Sequence, residues 1–179
     1  MGKSLTLILG GARSGKSSYA QNLMEESGKP VLFVATATAG DDEMAARIRA
    51  HRNSRPKYWA TLEASVNTGL AIQQAVIKGN VLLDCVTLLV SNILMACPQP
   101  LVEADFQRAV QEEVDGLLTA YKRHEGDWVF VSNEVGLGVV PATPMGRYYR
   151  DALGRANQQL AASAERVIFM VAGIPMKVK

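Results

Sequence analysis

The run Gly10-Gly11-Ala12-Arg13-Ser14-Gly15-Lys16-Ser17 has the residue types and spacing of a phosphate-binding loop, G-x-x-x-x-G-K-[ST]. Glycine tolerates backbone conformations that a Cβ forbids, so successive amides can turn inward around a phosphate. The helix that follows adds its own free amides and its positive dipole end. Lys16 is expected to reach the β and γ phosphates of a nucleoside triphosphate, and the Ser17 hydroxyl to ligate Mg²⁺. Arg13, inside the loop, fits either a phosphate contact or an outward salt bridge.

Such a loop works with a carboxylate that closes a later strand and holds the magnesium shell. Val81-Leu82-Leu83-Asp84 has that form, with the acid last. Whether Asp84 would meet metal, water or the sugar of the nucleotide stays open at this level. Of the two histidines, His124 ends a long helical stretch beside Lys122, Arg123 and Glu125 and reads as a solvated helix terminus. His51 differs, because it stands among Arg47, Arg49, Arg52 and Arg55 behind the acidic start Asp41-Asp42-Glu43. A neutral imidazole can attack phosphorus and hold a phosphoramidate for a second transfer. Neighbouring guanidinium groups favour the neutral ring and bind phosphate. On residue types alone an exposed helix histidine amid charges explains the segment equally well.

The elements that must position these groups follow from the apolar pattern. Short apolar runs at 5–9, 31–35, 81–84, 128–132 and 166–172 read as strands, the last closing the order. Amphipathic stretches at 16–26, 41–53, 66–78, 87–95, 102–124 and 145–164 read as helices. A loop rich in glycine and proline spans 133–144. Strands apolar throughout, separated by helices, predict a mostly parallel sheet with helices on both faces. The full length of 179 residues suits a single domain, 1–179, with no repeat or linker.

Composition narrows the function classes. Hydrophobic residues make up 48% and charged residues 20%, with a net charge of +2. Basic and acidic residues are interspersed, which argues against nucleic acid as a partner. Cys85 and Cys97 are too few and too far apart for a disulfide framework or a metal knuckle. No apolar run approaches the roughly 18 residues of a membrane span. The start of the chain leads into the first strand without room for a signal peptide. A reduced, cytoplasmic protein without membrane insertion is expected.

Several further segments carry a resemblance. Beyond the phosphate loop these are Ala35-Thr36-Ala37, the helix start with His51, Arg55-Pro56 and Trp59, and Leu83-Asp84-Cys85-Val86-Thr87. Later come Ser132-Asn133-Glu134-Val135-Gly136-Leu137-Gly138, Gly154-Arg155-Ala156-Asn157-Gln158 and Val171-Ala172-Gly173-Ile174-Pro175. In this order, over essentially the whole chain, the sequence resembles the adenosylcobinamide kinase/adenosylcobinamide-phosphate guanylyltransferase family of cobalamin biosynthesis.

That resemblance implies a RecA-like P-loop NTPase fold, a homotrimer and two activities. One phosphorylates adenosylcobinamide with ATP or GTP. The other transfers GMP from GTP to adenosylcobinamide phosphate, giving adenosylcobinamide-GDP and pyrophosphate. The position matching the family's GMP-carrying histidine is His51, with Lys16 as its catalytic companion. The matching nucleotide contacts are residues 10–17 (Gly10, Gly11, Ala12, Arg13, Ser14, Gly15, Lys16, Ser17), then Ala35, Thr36 and Ala37. They continue with Arg52, Asn53, Ser54 and Arg55, Glu63, and Asp84, where relatives often have Glu. Ser17 and Asp84 are the implied Mg²⁺ ligands. Tyr58 and Trp59 could face the corrin, though packing explains them better. Two other readings use the same loop: a one-step small-molecule kinase that leaves His51 idle, and a nucleotide-switched module that meets a partner protein through 133–144.

Overall fold

Leu5, Leu7, Leu32, Val34, Val81, Leu83, Trp128 and Phe130 point to one side of a sheet, while Ile8, Val31, Phe33, Leu82, Val129 and Val131 point to the other. Side chains alternate across a strand, so strands apolar at both parities must be covered twice. The computed structural model describes residues 3–53, 55–75 and 79–179, without the side chains of Met44 and Arg47. Within them the order is β1 (Leu5–Gly10), α1 (Lys16–Glu26), β2 (Val31–Ala35), α2 (Asp42–Asn53), β3 (Ala60–Glu63), α3 (Thr68–Gln74) and β4 (Asn80–Asp84). It continues with α4 (Val86–Ala96), α5 (Glu103–Arg123), β5 (Trp128–Val131), α6 (Pro144–Ser163), β6 (Arg166–Val171) and β7 (Ile174–Lys177).

The sheet runs β3-β2-β4-β5-β1-β6-β7, parallel except for the final β6–β7 pair. The larger core lies between the sheet and α3 to α6; the smaller one lies under α1, with Ala20, Met24 and Trp59. α5 shows why these helices form. Phe106, Val110, Val114, Leu117 and Tyr121 repeat at helical spacing on its buried face. Glu103 and Asp105 open it and Lys122 and Arg123 close it, each matching the dipole. α6 starts on Thr143, whose Oγ1 accepts from Gly146 N at 3.1 Å, with Pro144 in the first turn.

Three elements differ from expectation. β3 is an additional edge strand; its mostly exposed residues give no apolar run. The last strand is not 166–172: β6 stops at Val171, turns through Ala172 (φ 51°) and Gly173 (φ 84°), and β7 returns antiparallel. Pro175 fits there because β7 is an edge. α3 covers Thr68–Gln74 rather than 66–78, of which 76–78 lie outside the described residues.

Candidate active site

The loop between β1 and α1 is shaped by its glycines. At Gly10 (φ 149°) a Cβ would stand 2.6 Å from the Met170 carbonyl and 2.8 Å from Ser14 Oγ. Gly15 (φ 92°) caps α1 with no side-chain hydrogen bond, which leaves the first-turn amides to a ligand. The β6–β7 turn supports this loop from behind, with Gly173 N donating to Ser14 O at 3.0 Å. That gives the segment Val171-Ala172-Gly173-Ile174-Pro175 a positioning role no motif announces.

Lys16 is 6% exposed and donates to Gly11 O at 2.5 Å. Burial pulls its ammonium below the ordinary lysine range, an effect that nearby Cys85 and Asp84 oppose. A triphosphate would supply the charge compensation this ammonium lacks. Ser17 follows, half-buried, in the first turn; Ser14 is buried; Gly11, Ala12 and Arg13 are exposed on the outside of the loop.

Asp84 ends β4, separated from β1 by β5, and its side chain is 11% exposed. The His51 ring of α2 approaches it, Nε2 to Asp84 Oδ2, at 3.6 Å. On the other side of the ring Arg55 Nη2 donates to His51 Nδ1 at 3.1 Å. The Arg55 guanidinium lies 3.4 Å from the centroid of the buried Phe33 ring, a stacked cation–π contact. Burial lowers the Arg55 pKa, and Asp84 opposes the shift. One carboxylate thus faces a histidine and lies in the field of two cations, from the loop and from the basic segment.

Beside this cluster a cavity of about 390 Å³ is lined by Ala35, Ala37, Ile48, Arg52, Arg55 and Glu63 among others. Arg52 Nη2 reaches Glu63 Oε1 at 3.3 Å across its exposed rim. The expected nucleotide residues from β2, α2 and β3 therefore do converge. Asn53 is exposed, and Ser54 lies outside the described residues.

Thr36 departs from expectation in its side chain. Its Oγ1 donates to Cys85 O and accepts from Cys85 N, both at 2.8 Å, clasping the ends of β2 and β4. Its main chain is engaged too, Thr36 N donating to Asp84 O at 3.4 Å, and the residue is fully buried. Asn92, which the sequence did not single out, completes the clasp by donating to Thr36 O at 2.8 Å and Ser65 O at 3.0 Å. Trp59 packs, 7% exposed, while Tyr58 is 68% exposed. Cys85 is pushed up to about 11 by burial and by Asp84, so it stays a thiol at neutral pH.

Ser17, in the first turn of α1, and Asp84, at the end of β4, are hard oxygen donors. Among the described residues no group of three or more His, Cys, Asp or Glu side chains could hold a metal. Mg²⁺ does not need one, since it keeps waters and takes one or two protein oxygens plus phosphate. The donor set fits that ion. No helix among the described residues is long and apolar enough to cross a membrane.

Known proteins resemble this chain along nearly its full length. The sequence profile described as "Cobinamide kinase / cobinamide phosphate guanyltransferase" matches residues 6–178. The "Bifunctional adenosylcobalamin biosynthesis protein CobU" of Salmonella typhimurium is 40% identical over 186 aligned residues, covering 98% of this chain and 99% of that protein. The protein of the same name from Escherichia coli is 42% identical over 181, at 98% and 99%. The "Bifunctional adenosylcobalamin biosynthesis protein CobP" of Pseudomonas aeruginosa is 44% identical over 174, at 97% and 96%. Among solved structures, a prototypical ATPase from the type III secretion system of pathogenic bacteria superposes with a TM-score of 0.58 at 11% identity. It covers 93% of this chain and 51% of the ATPase, a likeness of fold alone. The chain belongs to the cobinamide kinase / cobinamide phosphate guanyltransferase family.

Proposed function

We propose that this member of the cobinamide kinase / cobinamide phosphate guanyltransferase family carries out both reactions at one nucleotide cradle, with His51 as the covalent carrier of GMP. The observation that carries this reading is the His51 imidazole between Asp84 (3.6 Å) and Arg55 (3.1 Å), with Asp84 also in the field of the loop lysine. A one-step kinase has no use for that histidine.

In the kinase reaction the loop amides and Lys16 hold the triphosphate while the adenosylcobinamide hydroxyl oxygen bonds to Pγ. The bond from Pγ to the β-phosphate oxygen breaks, the nucleoside diphosphate leaves, and the hydroxyl proton passes to solvent. Such transfers depend on positioning and charge neutralisation more than on covalent help. Mg²⁺, held by Ser17 and Asp84, would neutralise part of the phosphate charge.

In the second reaction an imidazole nitrogen bonds to Pα of GTP and pyrophosphate leaves. The phosphate of adenosylcobinamide phosphate then attacks Pα, the N–P bond breaks, and adenosylcobinamide-GDP departs with His51 restored. Arg55 and Asp84 flank the two ring nitrogens, so a bound nucleotide must draw one of them off. A phosphate offers Arg55 a stronger, bidentate partner than the ring. Arg52 and Glu63 border the cavity in which the nucleoside would lie. Asn133 and Glu134 would shape the acceptor side.

We further propose a cytoplasmic homotrimer. Ile174 and Met176 on the β7 edge, Val178 just beyond it, and Leu137, Val139 and Val140 on the 133–144 loop are exposed apolar surface of the kind subunit contacts cover. Light scattering at micromolar concentration reads the trimer directly. The function is tested by incubating the protein with adenosylcobinamide, GTP and Mg²⁺ and separating the products. Both a phosphorylated and a GMP-linked corrinoid are expected. A phosphorylated product alone would leave a simple kinase, and no product with any acceptor would favour a nucleotide switch.

A further inference from the structure

The segment Gly154-Arg155-Ala156-Asn157-Gln158 lies on the face of the sheet opposite α1 and takes no part in the nucleotide cluster. It lines a cavity of about 460 Å³ between the start of the 133–144 loop and α6, together with Leu9, Glu134 and Arg150. Leu9 directly precedes the phosphate loop, and Glu134 N donates to Gly10 O at 3.1 Å. The cavity therefore opens beside the triphosphate cradle.

Its polar lining has a particular character. Asn157 is 5% exposed; its Nδ2 donates to Asn133 O at 3.1 Å, and its buried Oδ1 has no partner. A buried acceptor without a donor weakens the fold unless a ligand supplies one. Glu134 Oε1 accepts from Gly136 N at 2.7 Å, and Arg150 pairs with Asp151 at 2.8 Å. The guanidinium groups of Arg150 and Arg155 are matched by the carboxylates of Glu134 and Asp151, so neither an anion nor a cation is favoured. A neutral group that both donates and accepts fits, and a primary carboxamide is such a group. The corrin of cobinamide carries primary carboxamides around its rim.

We propose that this cavity is the acceptor's anchoring subsite, in which the Asn157 carboxamide turns from its enclosed position so that Oδ1 accepts from a peripheral carboxamide of cobinamide. The corrin is thereby held at the mouth of the cradle with its hydroxyl arm toward the γ-phosphate. The proposal rests on cobinamide being the acceptor. It places substrate recognition on α6, away from the nucleotide residues.

Gly154 provides the test. It faces the cavity from within α6, and a Cβ there meets nothing within 4 Å. Leucine is also a better helix former than glycine, so Gly154→Leu projects a side chain into the cavity while retaining the helix. The affinity for cobinamide, followed by its visible absorption, is expected to weaken by about tenfold or more, the loss of a buried hydrogen bond. A folded Gly154→Leu that binds cobinamide like wild type overturns the proposal. A second measurement needs no variant: cobinamide derivatives with a single rim carboxamide hydrolysed to carboxylate are compared on the wild-type protein. At least one should lose about tenfold, because a carboxylate cannot donate to Oδ1. Equal affinity for all of them overturns the proposal as well. GMP labelling of the same preparations by GTP alone separates the two claims. Failure of labelling defeats the carrier role of His51, while cobinamide affinity still decides the subsite.

Discussion

Arg55 Nη2 stands 3.1 Å from His51 Nδ1, and a guanidinium can only donate. Nδ1 is therefore the acceptor, and in the neutral ring the proton sits on Nε2, the nitrogen that faces Asp84 at 3.6 Å. In the proposed GMP carrier the tautomer is thus fixed by Arg55, from outside its own helix, with Asp84 facing the protonated nitrogen. Arg55 is itself held, stacked 3.4 Å above the Phe33 ring.

Arg55→Lys keeps the charge but loses both the planar stack and the fork. The rate of GMP transfer to His51 is expected to fall by about 100- to 1,000-fold, the size of a lost transition-state donor. Phosphorylation of adenosylcobinamide, which does not pass through His51, should fall much less. Single-turnover measurement of both reactions checks this; an equal fall would mean Arg55 serves only nucleotide binding.

Lys16 predicts a proton signature. Burial holds its pKa below 10.5 in the free protein, and a bound polyphosphate would raise it. Between the free and bound values the ammonium is completed only on binding, so nucleotide binding on the alkaline side takes up protons. Calorimetry in two buffers of different ionisation enthalpy measures this uptake. It should be absent from Lys16→Met, whose two activities should both drop by about 100-fold or more.

Asp84→Asn keeps the shape of the side chain and removes its charge. If Asp84 holds part of the magnesium shell, the Mg²⁺ concentration for half-maximal activity should rise by about tenfold in both reactions. An unchanged Mg²⁺ requirement with impaired GMP transfer alone would place Asp84 wholly on His51.

Stability has a separate weak point. A Cβ on Gly69 of α3 would meet the Gly116 backbone of α5 at 2.4 Å, closer than any relaxed contact. Gly69→Ala is therefore expected to lower the unfolding free energy by about 1–3 kcal/mol despite alanine's better helix propensity. Urea denaturation followed by tryptophan fluorescence reads this, and a more stable variant would refute the close packing.

How far the chain could be read from its residues follows from where each signal lies. The phosphate loop is local, with its strand before and helix after, and α1 and β2 run over 16–26 and 31–35 as expected. β3 was hidden because an exposed edge strand needs no apolar run. β7 was hidden because its turn uses Ala172 at positive φ and its strand contains proline, both contrary to the usual signals. The triad of His51, Arg55 and Asp84 depends on α2 crossing to the end of β4, a relation without periodicity; resemblance to a family pointed to it, and residue types alone did not. The Thr36 clasp was beyond reach for the same reason, since a buried hydroxyl and a nucleotide-facing one look identical in a sequence.

GTP labelled in its α-phosphate interrogates His51 itself. With Mg²⁺ and no corrinoid, wild-type protein is expected to take up label that is lost in acid and kept in alkali, as a phosphoramidate requires. His51→Ala should take up none, while still phosphorylating adenosylcobinamide. Labelled His51→Ala, or wild type that never labels yet forms adenosylcobinamide-GDP, would contradict a covalent GMP on this histidine.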